Sequence, residues 1–279
     1  MTAPLTVELT DFLGRTWDLT PSRTGPRPTE GSVRYRTITG LAGAPYSFDE
    51  LQAATTDGVI VRGRKDEANV IELSCWIDYP RGGLDARDWL IEWRRGLGRG
   101  LARDENSPPL RLRINDSRWQ DVRLIAPKNE PQLEQIMAYG RAADEITVRQ
   151  DLSWWRGAPV SRSFTAAQFV GATIPNRGDE ATWPTYRLTG PITSPKLGLD
   201  GELVSLPTLT AGQYLDIETD PDSWQVTDQA GNDRSWIGVR WLKQAPPRST
   251  AVPVSITGTG TSGATRLDVS LPQMFWMAY

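Results

Sequence analysis

The sequence contains no histidine and a single cysteine, Cys75. Without imidazole there is no Ser-His-Asp or Cys-His machinery, no histidine zinc ligand and no side chain that ordinarily titrates near neutral pH. One cysteine rules out an internal disulfide framework and a multi-cysteine metal site. Lysine is scarce as well: of 31 basic residues only 4 are lysine and 27 are arginine. With 34 acidic residues the formal net charge is −3, so the chain lacks the basic body of a protein that grips phosphates irrespective of sequence. No apolar run reaches the length of about 18 residues that a membrane span needs. The segment from Met1 to Thr10 has neither a positive stretch nor an apolar one, so no signal peptide is expected. The reading is a chain made in a cytoplasm, without membrane insertion, that leaves the cell, if it is exported, by some other route such as lysis.

What is present is enough apolar material for packed cores: 38% hydrophobic residues over 279 positions, including 12 tryptophans. At roughly 100–200 residues per domain this length predicts two domains. Tryptophan and arginine are both enriched at the energetic centres of protein interfaces, which hints at an assembly part. Short alternating segments dominate: Leu5–Leu9, Val59–Arg62, Val70–Ile77, Leu110–Ile114, Arg118–Ile125 and Glu145–Trp154. Period-two alternation places one face of a strand in a core and the other in solvent or against a partner. Leu110, Leu112 and Ile114 face one way while Arg111 and Arg113 face the other, and Arg34 with Arg36 repeats the pattern. These arginine faces are candidate contact surfaces, or simply solvated strand faces.

One segment, 84–101, has helical spacing instead, with Leu90, Trp93, Leu97 and Leu101 on one stripe. Asp85 is the expected N-cap, and Gly96, Gly98 and Gly100 loosen the far end. It is the only long helix expected, and 133–140 is at most a short turn of helix. Trp154–Pro159 marks the boundary, giving units 1–155 and 156–279. After it the turn signals crowd together at Pro175–Asp179, Gly190-Pro191, Asp200-Gly201, Asp220–Asp222 and Gly231–Asp233. Short strands cut by such turns predict a β-sandwich or barrel. Two last strands, Val252–Thr257 and Arg266–Leu271, flank a Gly/Thr/Ser run at 258–263 that reads as a hairpin tip. No internal repeat is found. The fold class is all-β with one main helix.

Chemistry has few places to live. Asp216 and Glu218 share a strand face and precede Asp220 and Asp222, a spacing that admits a glycosidase-like carboxylate pair or the solvated face of a strand entering a turn. The same acids lack the central Gly and terminal Glu of a calcium loop. Gly96, Gly98 and Gly100 end a helix instead of opening one, unlike a phosphate loop. Cys75 sits in an apolar strand, the setting of an inert thiol. The expectation is no catalytic constellation, no cofactor and no metal. Trp183, Trp224, Trp236 and Trp241 leave room for a sugar-stacking surface in the second half, against burial in a core.

The stretch from Ile174 to Trp236 resembles the second domain of siphophage distal tail proteins. The resemblance is carried by Ile174 to Asp179, including Asn176 and Gly178, by Trp183-Pro184-Thr185, by Leu188 to Ile192 with Gly190, by Gly212 to Ile217 with Asp216, and by the turn Gly231-Asn232. Physically, Asn176 and Gly178 suit turns that need a left-handed backbone. Pro184 suits the start of a strand, while Gly190 and Gly212 separate successive strands. The helix at 84–101 falls where that family's N-terminal β-domain carries one. The tail after Trp241 either closes the second domain or forms an arm.

The resemblance implies a non-enzymatic virion protein at the tail tip. It would form a homo-hexameric ring of N-terminal domains joining the tail tube protein to tail-tip or receptor-binding proteins, with DNA only passing through the lumen. A galectin-like second domain would face outward. The alternatives are a carbohydrate-binding module for host-surface recognition, another minor tail protein, and a carboxylate-dependent glycoside hydrolase.

Overall fold

The structure, a computed structural model, describes residues 5–21, 30–52, 58–98, 108–115, 117–130, 132–150, 152–237 and 240–279. It is β-rich and divides into two compact units, Met1–Trp155 together with Trp276–Tyr279, and Arg156–Phe275. The first contains strands β1 (Val7–Thr10), β2 (Thr16–Asp18), β3 (Ser32–Thr39), β4 (Tyr46–Leu51), β5 (Ile60–Asp66), β6 (Val70–Asp78), β7 (Leu110–Ile114), β8 (Arg118–Pro127) and β9 (Arg141–Gln150). Its helices are α1 (Leu84–Gly96) and α2 (Leu133–Tyr139). Seven strands follow the antiparallel order β3–β6–β9–β8–β7–β1–β2. Leu19, just beyond β2, accepts the amide N–H of Tyr35 on β3 at 2.7 Å, so the two ends of this path meet. β4 and β5 form a separate two-stranded ribbon.

The alternation read from the sequence sets these faces. Leu110, Leu112 and Ile114 are buried while Arg111 and Arg113 are exposed, and Ile71, Leu73, Cys75 and Ile77 all point inward from β6. Cys75 is a buried thiol whose ionisation is pushed up, first by burial and then by the charge of Asp144. It is therefore a packing residue.

Helix α1 stops at Gly96, short of the expected 101, and residues 99–101 lie outside the described ones. Asp85 is not its cap. Gly83 occupies that position with φ 106°, and Asp85 sits in the first turn, where a carboxylate still favours the helix dipole. Gly98, at φ 86°, closes the far end by donating its N–H to the Arg95 carbonyl at 2.9 Å. Leu90, Trp93 and Leu97 form the buried stripe. Its anchor is polar: Trp93 Nε1 donates to Asp144 Oδ2 on β9 at 2.8 Å, and Arg94 forms a buried ion pair with the same carboxylate. Arg94 also donates to the carbonyl and side-chain oxygens of Asn129 at 3.2 and 3.3 Å. Trp17 packs edge-on against Trp93 and Trp89 at centroid distances of 5.2 and 5.3 Å, and its Nε1 donates to the buried Asp11 at 2.8 Å. The short turn expected at 133–140 is the seven-residue α2, closed by Gly140 in the left-handed region.

The second unit contains β10 (Trp155–Thr165), β11 (Thr173–Asn176), β12 (Thr185–Thr189), β13 (Thr193–Leu199), β14 (Val204–Ser205), β15 (Tyr214–Glu218), β16 (Gln225–Asp228), β17 (Ser249–Thr259) and β18 (Arg266–Phe275). One sheet runs β16–β15–β12–β18–β10 and the other β11–β17–β13–β14. Between them lies a core that includes Ile174, Leu188, Leu197, Leu215, Ile217, Val254, Leu267 and Val269. The strand end expected at Trp154–Pro159 is not there, since β10 begins at Trp155 and runs on to Thr165. Gly157 lies inside that strand because a Cβ there would sit 2.6 Å from the Phe275 ring.

The run 258–263 is not a hairpin tip either. β17 and β18 belong to opposite sheets, so the connection carries the chain across the sandwich. The tail after Trp241 therefore supplies interior strands of both sheets, and its last four residues join the first unit.

The Arg94–Asp144 pair yields a stability test. Asp144→Ala leaves a buried guanidinium uncompensated and is expected to cost about 3–5 kcal/mol, whereas the apolar double replacement Arg94→Met/Asp144→Leu costs far less. Chemical denaturation followed by tryptophan fluorescence measures both. Equal losses in the two variants would contradict this account.

Candidate functional site

A groove on the outer face of the five-stranded sheet of the second unit has a volume of about 610 Å³. Strand alternation builds it. Tyr186, Leu188, Leu215, Ile217, Val226, Leu267 and Val269 turn into the core, so their neighbours must turn out. The outward set is Thr185 and Arg187 from β12, Asp216 and Glu218 from β15, Gln225 and Thr227 from β16, and Arg266, Asp268 and Ser270 from β18. Ser161, Arg162 and Ser163 of β10 complete the wall.

Arg187 is the centre of this face. In register it lies between Asp216 on one neighbour and Asp268 on the other. It binds Asp216 through two parallel hydrogen bonds, Nε to Oδ1 at 2.6 Å and Nη2 to Oδ2 at 2.8 Å, and its guanidinium lies 4.7 Å from the Tyr214 ring centroid. Asp268 is held in turn by Arg266 at 2.8 Å. Glu218 lies opposite Thr185 and Gln225, and no ion pair engages it among the described residues. Burial raises its carboxyl above the ordinary glutamate range, opposed by backbone N–H donors from Asp220 and Thr219.

The structure thus places Asp216 and Glu218 in one groove, as their spacing predicts, but it does not equip them as an acid–base pair. Asp216 is neutralised by Arg187, which leaves Glu218 as a single perturbed carboxyl. Asp220 and Asp222 form the following turn, where the Asp222 N–H donates to Asp220 Oδ1 at 3.1 Å. Among the described residues no group of three His, Cys, Asp or Glu side chains converges as a metal site.

The four tryptophans weighed as sugar-stacking surfaces do not line the groove. Trp241 is buried and donates to the Leu197 carbonyl at 2.9 Å, while Trp183 and Trp224 pack on the core. Trp236 is exposed, outside the groove.

Apart from Asp216 of β15, the motif residues sit at strand ends and turns of the second unit. Asn176 does not take a left-handed backbone and neither does Gly178. Asn176 ends β11 fully buried, donates through Nδ2 to the carbonyls of Glu180 and Ala245, both at 2.9 Å, and accepts the Gly178 N–H. Gly178 is required by close approach, since a Cβ would meet the Met274 carbonyl at 2.6 Å. Asp179 accepts from Arg248 Nη2 at 2.7 Å, and the Pro184 carbonyl accepts from the Thr219 hydroxyl. Gly190 is pressed against the Thr210 carbonyl, and Gly212 has φ 82° in the turn before β15. In the turn after β16, Gly231 has φ 77° and Asn232 donates to Asp228, which holds that carboxyl down at about 2.

Sequence reasoning missed the groove's arginine–carboxylate ladder, because its partners lie on strands far apart in the chain: Arg187 and Asp216 are 29 residues apart. Only the alternation within each strand was visible.

A helix-bearing β unit followed by a β-sandwich is a fold that this chain shares with solved phage hub and baseplate proteins. Among solved structures, the Dit protein of phage SPP1, described as a paradigm of the hub adsorption apparatus in phages infecting Gram-positive hosts, has this fold. Its TM-score is 0.66 at 15% identity, over 97% of this chain and 99% of that one. A chain of the phage p2 baseplate in its activated conformation with strontium gives 0.53 at 11% identity, over 97% and 98% of the two chains. The same baseplate with calcium gives 0.50 at 10% identity, covering 98% of each chain. No protein-family model and no curated protein sequence matches the chain.

Asn176 is the motif residue with the most to lose. Asn176→Ala removes the hydrogen bonds it donates to the Glu180 and Ala245 carbonyls and leaves the buried Gly178 N–H without its acceptor, and is expected to cost about 1–3 kcal/mol. A thermal melt of the full chain checks this, and an unchanged melting temperature would contradict the scaffold role.

Proposed function

We propose that this chain is a distal tail protein of a phage with a long non-contractile tail, and that it works by assembly and not by catalysis. The observation that carries this reading is coverage: the likeness to the SPP1 Dit protein extends over 97% of this chain and 99% of that one. Both units are therefore matched, where a borrowed sandwich alone would match half. The reading assigns the first unit to a hexameric ring that joins the tail tube to the tail tip, and gives the second unit to docking other tail-tip or receptor-binding parts. A closed ring needs head-to-tail contacts, each of roughly 1,000 Å² or more. The near-balanced charge suits a ring whose lumen passes DNA without binding it. Among the described residues no helix is long and apolar enough to cross a membrane.

Electron microscopy of assembled phage tails with this chain labelled is the test. The expected label is a single six-fold ring at the distal end of the tube. Label along the shaft, or none in the particle, would sink the proposal.

The groove on the second unit favours one further reading, recognition of a saccharide on the host envelope. Its three arginines, three carboxylates and several hydroxyls offer both donors and acceptors with no net charge. This reading expects saccharide hits on a glycan array for the full chain, lost in Arg187→Ala. An array without hits excludes it and leaves the hub reading intact.

A further inference from the structure

The outer face of the five-stranded sheet carries its side chains in rows that cross the strands. Gln225, Glu218, Thr185 and Ser270 stand side by side in register, and Ser161 extends this row onto β10, its hydroxyl 3.3 Å from that of Ser270. The neighbouring row holds Thr227, Asp216, Arg187 and Asp268.

The two rows differ in how their charges are met. In the second, Arg187 holds Asp216 through two hydrogen bonds and Arg266 holds Asp268, so both carboxylates are engaged. In the first, Glu218 is the only charge, and among the described residues no cation pairs with it. The backbone N–H of Asp220 fixes its Oε1 at 3.2 Å, which orients the carboxylate without supplying a countercharge. A half-buried carboxylate in that position gains from an incoming cation, because its desolvation is otherwise uncompensated. Arg162 also lines the groove, but on β10, three strand spacings or roughly 14 Å from Glu218 at the backbone. A cationic ligand group is therefore directed to the β15 side.

The lining also selects the kind of molecule that brings the cation. Beside Glu218 the row offers the hydroxyls of Thr185, Ser270 and Ser161, and no large apolar side chain turns outward into the groove. The core of a protein–protein interface is apolar and depleted in charge, and strand addition needs a sheet edge, whereas this is a polar face. A ligand dense in hydroxyls meets such a row with a donor and an acceptor at every contact.

We propose that this groove binds a saccharide carrying a free amine, a 2-amino-2-deoxy sugar, with its ammonium on Glu218 and its hydroxyls along Thr185, Ser270 and Ser161. The proposal rests on the saccharide reading of the groove and adds the group that selects among saccharides.

Three disaccharides of the same linkage that differ only at carbon 2 test it: di-glucosamine, its di-N-acetyl form and cellobiose. The dipeptide lysyl-lysine controls for charge alone. Ligand-observed NMR titration against the full chain at neutral pH gives each dissociation constant. Di-glucosamine is expected to bind about tenfold tighter than the other two sugars and than the dipeptide. Glu218→Gln, which keeps the size of the side chain, is expected to remove that margin and to leave cellobiose binding unchanged. Glu218→Ala repeats the measurement if a thermal melt shows that the amide disturbs the fold. Equal binding of the three sugars, or a margin that survives both variants, overturns the proposal and leaves the saccharide reading standing. A dipeptide that binds as tightly as di-glucosamine overturns it in favour of a basic protein segment. No binding by any of the sugars overturns it too, and a glycan array without hits then removes the saccharide reading with it.

Discussion

The first unit depends on one buried carboxylate. Asp144, 1% exposed, receives Trp93 and Arg94 from α1 and faces Cys75 across the β6–β9 register. Withdrawing a carboxylate and a guanidinium from water is costly, and the cost is offset only when geometry and additional hydrogen bonds are good. Here the indole N–H and the Asn129 oxygens supply part of those bonds, Asn129 itself being fixed by the Glu145 N–H at 3.1 Å, while Arg94 Nε and Nη1 find no partner among the described residues. Two consecutive residues of α1 are thereby aimed at one point on β9, which fixes the helix in rotation as well as position. With that rotation set, Trp93 meets Trp17, and Gly96 meets the Asp11 carboxylate so closely that no Cβ fits.

The same logic revises the meaning of the composition. Tryptophan and arginine abundance reads at first as an interface signature, yet much of it is internal to the molecule. Trp17, Trp93, Trp155 and Trp241 are buried. Arg15 lies over Trp17 and Trp89, Arg36 and Arg141 over Trp76, Arg111 over Trp119 and Arg240 over Trp224, at 4.0 to 5.6 Å. Arg111 also pairs with Asp121, so the arginine face of β7 is in part a ladder within its own sheet. Planar guanidinium stacks on aromatic rings where an ammonium would not, which fits the preference for arginine over lysine. Abundance of these two residue types therefore does not by itself mark an interface.

What was legible in the sequence was local. β7 falls on its expected residues, and β6, β8 and β18 begin where the alternation begins, because period two is written in adjacent positions. The helix was readable from the stripe of Leu90, Trp93 and Leu97, though not its cap, since Gly83 caps it without a side chain. The errors come from contacts distant in sequence. Gly157 and Pro159 look like a strand end, yet β10 runs through them because Phe275 packs onto Gly157. Asn176 and Gly178 look like turn formers, while their real constraints come from Ala245 and Met274, some 70 and 96 residues away. The groove's ladder failed to show for the same reason. Each charge was visible, but its partner was not.

The path of the chain has a further consequence. The second unit leaves the first at Arg156 and returns at Phe275, so it is an insertion within the first unit, not an appendage. Its first and last strands, β10 and β18, are neighbours in one sheet, which brings its two ends together. An inserted unit whose ends are adjacent imposes little strain on its host and can change without altering it. After the return, the chain completes the first unit: Arg118 Nη1 donates to the carbonyls of Met277 and Tyr279 at 2.7 and 2.8 Å, and Ala278 binds Leu41. Those bonds join residues on both sides of the insertion.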